Sequence, residues 1–260
     1  MKNLKVAFYT ENGILKPAPA IRRAVLEAAT ALAANGADVE EWQPPDLLEA
    51  WEIQLRLTCA DGLAGYRRAL RTSKGAKVRL AAMPAAVRSA MSLLAEVVGQ
   101  KKLAASMRFK HRVSIEEYFQ LLGRRRQYST RFLEALNQRG FDVILCPPDA
   151  LPDLKHGSSY YLSGCGISYA GLYTLLGMPV GVVAATRVRS CEESDRPDTR
   201  DVVERAARYV EGGSIGLPVG VQVAARHWRE DVVLATMGVL ENYFRPQPEF
   251  PSLSKIPLWN

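Results

Sequence analysis

An α/β fold follows from three features of this 260-residue sequence. Residues 1–45 read as a β-α-β unit, a build that brings two parallel strands together through a right-handed crossover. Residues 46–140 read as helical. Three apolar strings then follow, FDVILCPP at 141–148, SYAGLYTLLGMPVGVVAAT at 168–186 and GLPVGVQVAARHWREDVVLATMGVLE at 216–241. Each joins β-branched residues to a Gly-Pro or Pro-Pro break, the pattern of buried strands in a sheet covered on both faces.

Taken in order, LKVAFYT at 4–10 is an apolar strand. Pro17 and Pro19 open a helix in which Ile21, Val25, Ala28, Ala29 and Leu32 recur at the helical period, and Asn35-Gly36 stops it. ADVEEW at 37–42 is the next strand. Residues 83–107 carry apolar side chains at 87, 91, 94, 98 and 103, which predicts one amphipathic helix. Two readings of it stay open: a helix packed on the sheet, or a helix resting on a membrane with its apolar face flanked by Lys and Arg. Ser114 with Glu117 forms a capping box that starts a further helix, and Gly140 ends it.

After the strand at 141–146, a helix at about 167–177, a strand at 179–185 and a strand at 217–225 complete the core at 141–245, closed by a helix at about 230–244. Between them, 187–212 is a charge-rich insertion whose first half is expected to be a mobile surface excursion. The tail at 246–260 is punctuated by proline and expected to be extended.

Composition narrows the function classes. Hydrophobic residues make up 48% of the chain, which fits a globular protein and excludes a disordered one. The net charge of +7 is concentrated in 101–131, at Lys101, Lys102, Arg108, Lys110, Arg112, Arg124, Arg125, Arg126 and Arg131. A solvated helix face is the first reading and an anionic membrane surface the second; nucleic acid is not expected as a partner. Cys59, Cys146, Cys165 and Cys191 are far apart and form no Cys-x-x-Cys, which points to reduced thiols and a cytoplasmic setting.

The candidate chemistry is sparse. Lys155-His156-Gly157-Ser158-Ser159 gathers the residue types of a serine hydrolase, but adjacent loop residues rarely align nucleophile, base and oxyanion donors, so it reads as an ordinary loop. His111, His156 and His227 show no i, i+4 pair, and no metal site or cofactor is expected. Gly212, Gly213, Gly216 and Gly220 lack the Lys-Ser/Thr ending of a phosphate loop. The opening unit lacks a glycine-rich turn after Thr10, which weakens a nucleotide-binding reading.

One further pattern carries more. Ser168-Tyr169-x-x-Leu172-Tyr173 precedes Pro179-x-Gly181-Val182-Val183, and Gly216-Leu217-Pro218-Val219-x-Val221-Gln222 leads to Trp228-x-Glu230. These strings resemble the carboxyl half of the amidase-signature hydrolases, and within them the fatty acid amide hydrolase branch, from about Lys5 to about Glu241. The resemblance implies a mixed β-sheet flanked by helices and a single partial domain over 1–260, with 46–140 as a helical cap region. It implies amide hydrolysis through an acyl-enzyme, on a serine and lysine core for which this chain has no matching glycine- and serine-rich segment, so no catalytic residue is assigned and the chain is expected to be inactive alone. Tyr173, Thr174, Met178 and Val182 are implied to wall the substrate pocket, with plain core packing as the other reading, and Leu94 and Val98 to sit in a membrane-contacting cap. The implied partners are an amino-terminal amidase half or a second copy of the chain, with peripheral membrane contact. A non-catalytic binding domain or split-enzyme subunit derived from an amidase is the alternative.

Overall fold

The computed structural model describes residues 4–64 and 84–252. Its centre is a five-stranded mixed sheet in the order β2-β1-β3-β5-β4. Strand β1 (Lys5–Phe8) pairs in parallel with β2 (Asp38–Glu41) and with β3 (Val143–Cys146). Strand β5 (Pro218–Ala225) runs antiparallel to β3 and to the edge strand β4 (Val180–Arg187). Helix α1 (Pro19–Ala34) begins at a proline, whose missing N–H costs nothing in a first turn, and makes the β1–β2 crossover.

Alternation along the strands sorts their side chains onto two faces. Val6, Val143, Leu145, Val221, Val223 and Val183 meet α1 and α8 (Glu230–Phe244) on one face. Ala7, Ile144, Cys146 and Ala224 meet α2 (Leu47–Thr58), α5 (Ile115–Arg139) and α6 (Ser168–Leu176) on the other. Helix α5 starts as its capping box requires, with Ser114 accepting the Glu117 N–H at 3.1 Å, and stops at Gly140 in the left-handed region at φ 69°.

Two expectations are corrected. Residues 83–107 do not form one helix: α3 (Ala85–Val97) and α4 (Lys101–Phe109) fold back on each other at Gly99, whose φ of 83° breaks the helical path. The seam between them consists of small residues, Ser92, Ala95 and Ala104, with Ser92 Oγ donating to the Ala104 carbonyl at 3.0 Å. The large side chains of α3 therefore face outward, and Leu94 and Val98 are 65% and 59% exposed, so they do not pack on the sheet, whereas Leu103 and Phe109 of α4 pack against the core.

The first half of the insertion at 187–212 lies on the surface without helix or strand, but ion pairs pin it to the body. Arg23 grips Glu192 at 2.8 Å, Lys16 and Arg22 hold Asp195, and Arg196 reaches the Lys16 carbonyl together with Glu204 and Glu211. Its second half is α7 (Val202–Glu211), capped by Asp201, whose carboxylate accepts the Val203 and Glu204 N–H groups. The basic stretch at 101–131 is similarly engaged: Lys102 pairs with Glu204, Arg108 with Glu96, Arg124 with Glu52 and Arg131 with Glu49.

Candidate functional site

Where β1 and β3 lie side by side, the chain leaves β1 toward one edge of the sheet while β3 opens toward the other. In α/β sheets the crevice outside the carboxyl ends of two such strands is where ligands settle. Here the crevice is filled by the first turn of α6. Tyr169 Oη accepts the Asn12 N–H at 3.1 Å and donates to the Leu15 carbonyl at 3.0 Å. Asn12 Nδ2 donates to Ser168 Oγ at 2.7 Å, and Ser168 Oγ donates to the Cys165 carbonyl at 2.6 Å. The loop after β1 is thus tied to α6, and the place a nucleotide would occupy holds the chain's own tyrosine.

One turn further along α6, Tyr173 is fully buried. Its hydroxyl lies 3.2 Å from that of Tyr9 and accepts from the Cys146 thiol at 3.6 Å, while Gln222 Nε2 donates to Cys146 Sγ at 3.2 Å. Burial pushes the Tyr9 and Tyr173 hydroxyls and the Cys146 thiol above their ordinary values, so all three stay protonated at neutral pH. A thiol held this way is no nucleophile, since thiolate formation needs a cationic or exposed setting. Cys165, pushed up to about 12 by burial, is equally inert.

In the serine- and lysine-bearing loop, Lys155 and Ser158 bond to backbone carbonyls. Lys155 Nζ donates to the carbonyls of Tyr209 and Gly212, at 2.7 and 2.6 Å, closing the C-terminal end of α7, and sits 4.3 Å from the centre of the Tyr209 ring. Ser158 Oγ donates to the Lys155 carbonyl at 2.7 Å, a contact that supplies no base. His227 Nε2 sits 2.9 Å from the Leu176 carbonyl, and Arg125 Nε donates to the Leu175 carbonyl at 2.6 Å, so both serve the C-terminal end of α6. Among the described residues, no three His, Cys, Asp or Glu side chains are placed to hold a metal.

The four pocket candidates differ in burial. Tyr173 and Met178 are buried in the core, Thr174 faces out and returns its hydroxyl to the Ala170 carbonyl at 3.2 Å, and Val182 is 52% exposed. What the structure brings together instead is a row across three strands. Cys146 stands opposite Gln222 and Gln222 opposite Val182, so the same sheet face passes from a sealed polar cluster to open surface. Sequence reasoning missed Tyr9 and Asn12, and named Gln222 only as part of a string. Their one signal is polarity inside apolar strings, which cannot say where each hydroxyl or amide finds its partner.

This arrangement defines a helix-covered mixed sheet with an internal polar cluster and β4 at one edge among the described residues. The Amidase family matches residues 1–234, and the chain belongs to that family. It is 31% identical over 253 residues to fatty acid amide hydrolase 1 of Caenorhabditis elegans, covering 92% of this chain and 43% of that protein. It is 25% identical over 257 residues to fatty-acid amide hydrolase 1 of Sus scrofa, again covering 43% of the relative. A solved fatty acid amide hydrolase superposes with a TM-score of 0.67 at 20% identity, covering 92% of this chain and 39% of that one. A 6-aminohexanoate cyclic dimer hydrolase superposes at 0.57 and 17% identity, covering 98% of this chain and 47% of the other. The chain therefore spans less than half the length of the relatives it matches.

Proposed function

We propose that this chain is the carboxyl portion of an amide-bond hydrolase that acts on fatty acyl or other lipid-like amides, with the nucleophile supplied by amidase sequence outside these residues. The observation that carries this reading is the coverage: nearly the whole chain matches amidases, yet it spans only 43% of the worm and pig relatives. The internal lock supports it, because Tyr9, Cys146 and Tyr173 are held neutral and the Lys155 loop is spent on structure. The named activity of both relatives supports a fatty acyl substrate.

The test compares the chain alone, the chain coexpressed with the part of the worm relative it does not span, and a Ser158→Ala/Ser159→Ala double variant, on a long-chain fatty acyl amide. Hydrolysis is expected only in the coexpressed sample. Turnover by the chain alone that vanishes in the double variant would overturn the reading.

A peripheral membrane role is favoured by one observation of its own, the outward face of α3. Val87, Met91, Leu94 and Val98 line up at helical spacing and are all exposed, with Leu93 and Val97 beside them. Such a face inserts shallowly at a bilayer interface. No described helix is long and apolar enough to cross a membrane. Because Lys102, Arg108, Arg124 and Arg131 are already paired, binding to vesicles should depend on the apolar face and only weakly on salt. Equal recovery in the supernatant with and without phosphatidylglycerol vesicles would remove this role.

A further inference from the structure

Helix α4 carries Lys102 and Ser106 one turn apart, and Lys110 follows a turn later at its C-terminal end, so the three side chains leave along one face. That face is bonded inward. Ser106 Oγ donates to the Ser163 carbonyl at 3.1 Å and Lys110 Nζ to the same oxygen at 2.6 Å, while Lys102 Nζ donates to Glu204 of α7 at 2.5 Å.

These contacts start two routes to the loop between β1 and α1. The first runs through the turn at 162–165, which the Cys165 N–H closes on the Leu162 carbonyl at 2.9 Å. The Cys165 carbonyl accepts the N–H and the hydroxyl of Ser168, at 3.2 and 2.6 Å. Ser168 in turn accepts from Asn12 Nδ2, and the Asn12 amide oxygen accepts the Ile14 N–H at 3.0 Å. The second route runs from Glu204 through Arg196 to the Lys16 carbonyl. One helix thus holds both ends of the loop, Asn12 and Lys16, and this is the loop that Tyr169 ties across the crevice.

Coupling between separate places in a fold requires an element with two discrete arrangements. The turn at 162–165 has the make-up of one. Ser163 and Gly164 both lie in the left-handed region, at φ 54° and 79°, and a residue with a side chain stays there only where its surroundings fix it. Here α4 fixes the Ser163 carbonyl, and Trp51 Nε1 of α2 donates to the Gly164 carbonyl at 3.1 Å. The turn is also pressed between the two helices: a Cβ on Gly164 would stand 3.2 Å from Leu55 and 3.5 Å from the Lys110 ammonium.

We propose that α4 is a latch on the loop at 12–16. Its grip on the Ser163 carbonyl keeps the turn left-handed and so keeps Ser168 bonded to Asn12; displacement of α4 relaxes the turn and frees the loop from the crevice. The coupling is reciprocal, so a ligand that enters the crevice and parts Asn12 from Ser168 loosens α4. The latch stands on internal bonds alone and holds whichever reaction the crevice serves.

Amide hydrogen exchange on the full chain tests this, in wild type, Ser106→Ala/Lys110→Met, Lys102→Met, the triple variant, and Ser106→Ala/Lys110→Met with Ser163→Gly added. Opening the first route should speed exchange at residues 12–15 by about fivefold, the scale of one lost hydrogen bond, and leave β3 and β5 as in wild type. The triple variant should exceed the product of the two separate effects, because either route alone still holds one end of the loop. Glycine takes the left-handed conformation without strain, so adding Ser163→Gly should return exchange at 12–15 most of the way to the wild-type rate. Unchanged exchange at 12–15 in the triple variant, or a rise shared equally by β3 and β5, would overturn the latch. No recovery on adding Ser163→Gly would overturn the turn as its moving part. Should Lys110→Met unfold the chain, Ser106→Ala alone, which removes a single hydroxyl, carries the same readout.

Discussion

Arg196 and Glu211 form an ion pair at 2.9 Å with both side chains sealed from solvent. The pair belongs to a larger set: Arg196 also meets Glu204 and the Lys16 carbonyl, Lys102 donates to Glu204 at 2.5 Å, and Ser194 donates to Glu211. Glu204 is partly desolvated, yet Lys102 and Arg196 hold its carboxyl below the usual range. These contacts tie the insertion and α7 to the loop after β1.

Arg196→Ala should therefore cost about 3–5 kcal/mol, because it strands a buried carboxylate. Urea unfolding checks it. Replacing both partners, as Arg196→Met with Glu211→Leu, should recover most of that loss, since an apolar pair of similar size leaves no uncompensated charge.

Tyr169→Phe removes one hydroxyl and leaves the Asn12 N–H and the Leu15 carbonyl without their partner. A destabilisation of about 1–3 kcal/mol is expected, with faster amide exchange in residues 12–15. Unchanged stability and unchanged exchange would show that the plug does not hold the loop.

Asp149 gives the stability a pH signature. Burial raises its carboxyl to about 6, against the N–H groups of Leu151 and Ala150 that pull it down. The unfolded value is about 3.9, so the native state binds the proton more tightly. Its contribution is fully present below the unfolded value and is lost as pH rises through about 6. Asp149→Asn should remove that decline, so the stability of wild type relative to the variant falls between pH 4 and pH 6.

Leu94→Asp and Val98→Asp should leave the unfolding free energy within about 0.5 kcal/mol of wild type, because both side chains already face water. Leu121→Asp or Phe132→Asp on α5, both buried, should unfold the protein. A large loss from Leu94→Asp would mean that α3 is covered in solution.

The sequence by itself determined the five strands, α1, α5, α6 and α8 and their order. Runs of β-branched residues with breaks at proline and glycine mark β3, β4 and β5, proline and Asn-Gly bracket α1, and a capping box with a terminal glycine brackets α5, because each of these signals acts within a few residues along the chain. The strings around Ser168, Pro179 and Gly216 were enough to point to the amidase family. Tertiary structure decided what those elements face. Residues 83–107 carry one stripe of large apolar side chains and one of small residues; the period alone favours burying the large stripe, whereas close packing of α3 on α4 buried the small one and turned Leu94 and Val98 outward. The charges of 187–212 suggested solvent until partners distant in sequence, Lys16, Arg22, Arg23 and Lys102, were folded against them. Tyr173, Thr174, Met178 and Val182 are near neighbours in sequence, yet helix and strand geometry sends them to core, solvent, core and open sheet face, since the direction of a side chain is fixed by the element that carries it and by what packs on that element.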